Sequence, residues 1–317
     1  MSEAPSRQEL EAMHCWEEAD RVPAPPEMTD FRRRLRYHQA RWREANGHPI
    51  GSEPIQPREG KPSRPVGSRL PLDYARETGA NFLNAKALEA ARARTSVTEP
   101  HQSFDHQRLW AELLWSPAMA LNLFGDLSAD HELAGRAVRV WWPDAPGSVS
   151  DVRFAYSPGR LDPEYLGSLR AFDTALLLDL DDGTQGIVGV DVTYYDWLKP
   201  ETPKPSNLGR YLDVAERSGA FRPGAVDEVK GRSGLCVTWL EHLLLLSMLQ
   251  HVSGAWSWGR YVVVYPAGNS SVADGCARYR DLLLDQSTFA SVTFEELLDA
   301  GVLPPETAAA LRGRYLG

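Results

Sequence analysis

The sequence predicts an α/β protein, a mixed central sheet covered by helices. Three observations predict it: a hairpin of two nearly apolar runs around an Asp-Gly turn, a later all-apolar run (Tyr261–Tyr265), and Ala- and Leu-rich helical periodicity on both sides of them. At 317 residues the chain can bury one large core or two modest ones.

In chain order, Glu9–Asp20 and Asp30–Asn46 read as charged helices. The second carries Arg32, Arg33, Arg34, Arg36, Arg41 and Arg43 around Trp42. That basic helix either offers phosphate contacts with Trp42 for stacking, or packs on the core through Phe31, Leu35 and Trp42. Gly47–Leu72 is rich in Pro, Gly and Ser and reads as an extended arm or linker. Residues 1–70 are therefore expected as an N-terminal arm and 71–317 as the main domain.

Within that domain, Asn84–Arg94 and Asp105–Trp115 have helical spacing. Asn122 is expected near a helix end, with Gly125 as the stop. Ala137–Trp142 and Val152–Tyr156 alternate and are expected as half-buried strands. The hairpin follows: Phe172–Leu180, the turn Asp181-Asp182-Gly183-Thr184, and the return Gly186–Tyr194. Asn207–Arg217 and the apolar Leu235–Val252 read as helices, and Tyr261–Tyr265 as a buried strand. A helix is expected over Val272–Leu284. Thr293 and Glu296 form a capping box, and Pro304-Pro305-Glu306 opens a last short helix.

Asp173 and Asp191 lie at the two hairpin ends that the turn folds together, so both carboxylates are expected in one small volume. Unpaired carboxylates there are costly unless a cation or a proton lies between them. The oxygen donor set suits a hard divalent ion, Mg²⁺ or Mn²⁺; the alternative is that both simply face water or cap a loop. Asp179, Asp181 and Asp182 read as turn residues.

Composition narrows the function classes. The net charge of −9 (34 basic, 43 acidic residues) means that nucleic-acid binding needs a local basic patch. Cys15, Cys236 and Cys276 are too scattered for a zinc site or a disulfide framework and suit a reducing cytoplasm. Met1–Pro5 is polar, unlike the apolar core of a signal peptide. Leu243–Leu249 is too short to span a membrane. Neither a Gly-rich loop ending in Lys-Ser/Thr nor a nucleophile-elbow arrangement occurs.

Four ordered segments resemble a bacterial branch of the PD-(D/E)XK nuclease superfamily. They are Ala75–Leu83, Arg108–Leu114, Ala120–Gly125, and the hairpin with Tyr261–Pro266, together covering roughly residues 70 to 300. The resemblance implies a restriction-endonuclease-like core and metal-dependent hydrolysis of DNA or RNA phosphodiesters, with Asp173 and Asp191 as metal acids. It implies a third metal ligand at Glu112, which otherwise pairs with a nearby arginine or faces solvent. Glu241 would be a polar residue orienting substrate. The motif lysine two positions after Asp191 is replaced by Thr193, which supplies a hydroxyl but no charge; losing one such group costs about 10²–10³ in rate. A catalytically impaired fold binding nucleic acid or protein is the alternative implied. Lys230, in Glu228-Val229-Lys230, reads as part of a surface turn, and Lys199 lies past the strand end. His242 is expected as a satisfied core histidine and Gln250 as a helix-end residue.

Overall fold

The Asp-Gly turn fixes the register on which the rest of the sheet is built. In the computed structural model, which describes residues 4–21, 26–102 and 104–316, Thr174 pairs with Val190 and Asp179 with Gln185 in an antiparallel hairpin. Most of the polar start Met1–Pro5 lies outside the described residues.

The chain opens with α1 (Arg7–Ala12), capped by Ser6 and Glu9, then a single 3-10 turn (Glu18–Arg21) and α2 (Pro26–Ala45). A small antiparallel ribbon follows, β1 (Gly51–Glu53) and β2 (Arg64–Val66), inside the stretch expected as an extended linker. Next come α3 (Leu72–Thr78), α4 (Ala85–Ser96), α5 (His106–Ala111), α6 (Ser116–Ala129) and α7 (His131–Trp141). The main sheet is then laid down as β3 (Ser148–Tyr156), β4 (Phe172–Asp179) and β5 (Gln185–Val192). Helices α8 (Leu208–Ser218) and α9 (Cys236–Leu249) lead to β6 (Trp256–Tyr265). Helix α10 (Ser270–Asp281), β7 (Phe289–Thr293), α11 (Phe294–Asp299) and α12 (Pro305–Tyr315) complete the chain.

Among the described residues the main sheet has five strands in the order β3-β4-β5-β6-β7. The first three are antiparallel neighbours, whereas β5–β6 and β6–β7 are parallel, which requires the crossovers that α8, α9 and α10 provide. The two-residue repeat of each strand divides the core. Leu176, Leu178, Val188, Val190, Val262 and Val264 face a layer containing α6 and α7, and Phe31 and Leu35 of α2 join the same core. Ala175, Leu177, Ile187, Tyr261 and Val263 face α8, α9 and α10. Asp173 and Asp191 share the parity of the second set, so the strand repeat directs both towards the α9 side.

The basic helix α2 is thus a packed element. Arg36 is buried and ion-paired with Asp20 and Glu17, and its guanidinium also donates to the Tyr195 hydroxyl at 2.7 Å. Gln39 donates to Tyr194 Oη at 3.0 Å and to the Arg314 carbonyl at 2.7 Å.

Several local expectations are corrected. Ala137–Trp141 belongs to helix α7, with Trp142 as its C-cap, and not to a strand. Asp130 caps its N-terminus, and Leu133, Ala134, Ala137 and Val138 are buried at helical spacing, which outweighs the short Val-Arg-Val alternation. The helix expected over Asp105–Trp115 stops at Ala111, and a new helix starts at Ser116. Asn122 and Gly125 lie inside α6 rather than at its end. Asn122 accepts from the Leu83 N–H at 2.7 Å and donates to the Asn81 carbonyl at 3.0 Å and to Tyr315 Oη at 2.8 Å. A Cβ at Gly125 would lie 2.6 Å from Ala87 Cα, so that glycine lets α4 and α6 touch. Strand β7 had no counterpart in the sequence reading.

Candidate active site

At the open ends of β4 and β5 the backbone ladder gives way to side chains. The Asp173 N–H donates to Asp191 Oδ1 at 3.2 Å, and the Val192 N–H donates to Asp173 Oδ2 at 2.9 Å. The hairpin therefore brings the two aspartates face to face, as the spacing predicted. Parallel pairing of β5 with β6 places Tyr261 nearby, and its hydroxyl donates to Asp191 Oδ2 at 2.9 Å. Gly189 lets the strands close up here, since a Cβ would lie 2.8 Å from the Phe172 ring.

Helix α9 adds a third carboxylate. Glu241 is buried in a helix whose other inward residues are mostly apolar, and Arg170 Nη1 donates to its Oε1 at 3.0 Å. Its other oxygen, Oε2, is buried without a hydrogen-bond partner. Arg170 comes from the segment just before β4 and also lies 3.8 Å from a Glu201 carboxylate oxygen.

Burial and mutual repulsion govern the protonation of these acids. Loss of water, followed by the Asp191 charge, pushes the Asp173 carboxyl up to about 8. Burial raises Asp191 to about 6, opposed by the Tyr261 hydroxyl, the Asp173 N–H and the Arg170 charge. Burial and the Asp191 charge raise Glu241 to about 8, with Arg170 pulling the other way.

Asp173, Arg170 and Glu241 line a cavity of about 500 Å³. Its walls include Phe104, Trp115, Arg160, Lys204 and Tyr211.

The other sequence candidates fall as follows. Thr193 directly follows β5, its N–H donating to the Val264 carbonyl at 2.8 Å, and it is not among the cavity residues. Glu112 closes α5 and is not brought to the aspartates: Arg69 Nε donates to its Oε2 at 2.6 Å, while Arg69 also pairs with Glu53. Lys230 is exposed and ion-paired with Asp227 at 2.5 Å; Lys199 pairs with Asp196 at 3.4 Å and lies over the Trp197 ring. Neither lysine lines the cavity. His242 is fully buried between Tyr279 Oη at 3.0 Å and Thr288 Oγ1 at 2.9 Å, and burial pushes its ring down to about 3, so it stays neutral. Gln250 caps α9 and donates to the Val214 carbonyl at 3.0 Å.

Sequence reasoning missed Arg170. It sits in an irregular segment with no periodicity, and its position three residues before Asp173 was the only signal.

The donor chemistry fits a hard divalent ion: the oxygens belong to carboxylates, Glu241 Oε2 is unpaired, and burial followed by mutual repulsion makes these acids costly to ionise without a cation. Among the described residues, however, no group of three or more His, Cys, Asp or Glu side chains is gathered as a ready-made metal cage. Asp173 and Asp191 thus fit as an acid pair, with Glu241 beside them. Among the same residues no helix is long and apolar enough to cross a membrane.

No curated protein and no solved structure matches the chain. A family model does, over residues 26–317, and the mixed five-stranded sheet flanked by helices is consistent with its restriction-endonuclease-like fold. The chain belongs to the PD-(D/E)XK nuclease superfamily.

Proposed function

We propose that this protein is a divalent-metal-dependent phosphodiesterase acting on DNA or RNA, with Asp173 and Asp191 holding the ion and Glu241 beside them. The observation that carries this reading is the facing of the two carboxylates across the strand ends, beside a cavity that also contains a cation, Arg170. Buried acids left with raised proton affinity destabilise a fold, and a cation relieves that cost.

Magnesium or manganese bound there supplies charge stabilisation at the phosphoryl oxygens and a more acidic attacking water. The chain's own residues do the rest. Arg170, held at 3.0 Å by Glu241, offers the positive charge that Thr193 lacks. Tyr261 and the Asp173 N–H fix the Asp191 carboxylate in one orientation. Glu241 Oε2, unpaired, is free to accept a hydrogen bond or to share the ion. The buried free thiols of Cys15, Cys236 and Cys276 suit a reducing compartment such as the cytoplasm.

A second reading, a nuclease fold that binds without cutting, is favoured by two observations. A threonine stands at the motif lysine, and both Asp191 oxygens are already engaged in hydrogen bonds. Cleavage of labelled DNA and RNA in Mg²⁺ or Mn²⁺ separates the two. Strand scission by the wild type that disappears in Asp191→Ala supports hydrolysis; intact substrate with every strand and ion refutes it.

A further inference from the structure

We infer that the cavity beside Asp173 takes a single-stranded polynucleotide rather than a duplex, an inference that rests on the nuclease reading above and names its substrate class. Size is the first argument. A cavity of about 500 Å³ equals a cube about 8 Å on edge, whereas the major groove of a duplex alone is about 12 Å wide. Asp173 and Glu241 line that half-open cavity, whose size suits one extended strand better than a duplex.

The walls are built for such a strand. Phe104 and Trp115 form a tilted pair with ring centroids 5.3 Å apart, and both border the cavity. Aromatic faces beside a cationic track are how unpaired bases are held, because every base has a stacking face once its neighbours leave it. Cations line the cavity with them: Arg160, Arg170 and Lys204. Arg160 is almost wholly buried, bonded to Glu99 and to the Ala155 carbonyl, and its Nε has no hydrogen-bond partner. Gln102 also lines the cavity, and its Nε2 is likewise buried and unpartnered. Lys204 is exposed at the rim. The cations that a strand in the cavity can reach are Arg170, about a quarter exposed, and Lys204 at the rim.

The test is fluorescence anisotropy on the full chain with labelled DNA single strand, RNA single strand and DNA duplex of one sequence, in EDTA and over a range of salt. The expected result is at least tenfold tighter binding of a single strand than of the duplex; the arm that binds more tightly identifies the sugar. Trp115→Ala is expected to weaken single-strand binding by about 5- to 150-fold, the loss of one stacked base. Because Trp115 starts α6 and its loss can disturb folding, the exposed Lys204→Glu serves as the second variant. It is expected to weaken binding and to reduce the salt slope by about 0.7, one phosphate contact on a single strand. Duplex binding as tight as single-strand binding, or Lys204→Glu leaving both affinity and slope unchanged, overturns the inference. Single-strand preference without cleavage in Mg²⁺ or Mn²⁺ upholds it and removes the hydrolytic reading; cleavage restricted to duplex does the reverse.

Discussion

Replacing Asp173 by asparagine keeps the shape of the side chain and removes its charge, so it isolates the electrostatic cost of the acid pair. The wild-type carboxyl is raised from 3.8 to about 8 by burial and by Asp191. Between those values the native state therefore holds a proton that the unfolded chain has released. Stability is full below the unfolded value and falls as pH rises towards the folded one, at up to about 1.4 kcal/mol per pH unit for one carboxyl. Asp191 and Glu241 titrate with it and the cavity admits water, so roughly half of that ceiling is expected. The loss between pH 5 and pH 8 is then about 2 kcal/mol. The asparagine side chain retains an oxygen to accept from the Val192 N–H, so the variant keeps the hydrogen bond seen at 2.9 Å. Urea unfolding in EDTA across pH 5–8.5 should show the wild type losing stability relative to Asp173→Asn as pH rises. Saturating Mn²⁺ should flatten the wild-type curve, because a ligand bound only to the native state adds stability. Parallel curves in EDTA, or a wild type that gains on the variant with rising pH, would refute the reasoning.

Arg170→Gln should lower any cleavage rate by about 10²–10³, the usual cost of losing one charge-stabilising donor, with Arg170→Lys recovering part of it. Single-turnover rates measure the effect, and an unchanged rate would remove Arg170 from the chemistry. Asn122→Leu strands the Leu83 N–H and the Tyr315 hydroxyl inside the core and should cost about 2–4 kcal/mol of stability in a urea melt, without a pH-dependent component.

The aspartate pair was legible in the sequence because one turn sets a whole register. Once Asp181-Asp182-Gly183 is the turn, counting outwards places Asp173 opposite Asp191. Glu241 was legible as an acid in an apolar helix, where burial demands a partner. That partner, Arg170, was hidden because it lies in an irregular segment whose path depends on packing. The same limit explains Glu112. Its apolar neighbours announce that it is buried, but not that Arg69 reaches it from forty-three residues away. Ala137–Trp142 misled because a four-residue alternation fits a strand and a helix equally well until the cap at Asp130 is counted. Asn122 misled because its three partners come from distant segments, one of them the last helix. The resemblance rested on ordered segments rather than on the lysine, and the family model matches with Thr193 at that position.

The most direct test of the acid pair as a metal site is calorimetric titration of Mn²⁺ into the wild type and into Asp191→Ala at pH 7.5. Saturable binding is expected of the wild type, with proton release that varies with buffer ionisation heat because raised carboxyls must deprotonate, and no such binding of the variant. Equal binding by both proteins, or none by either, would contradict it and leave the two aspartates as a hydrogen-bonded structural pair.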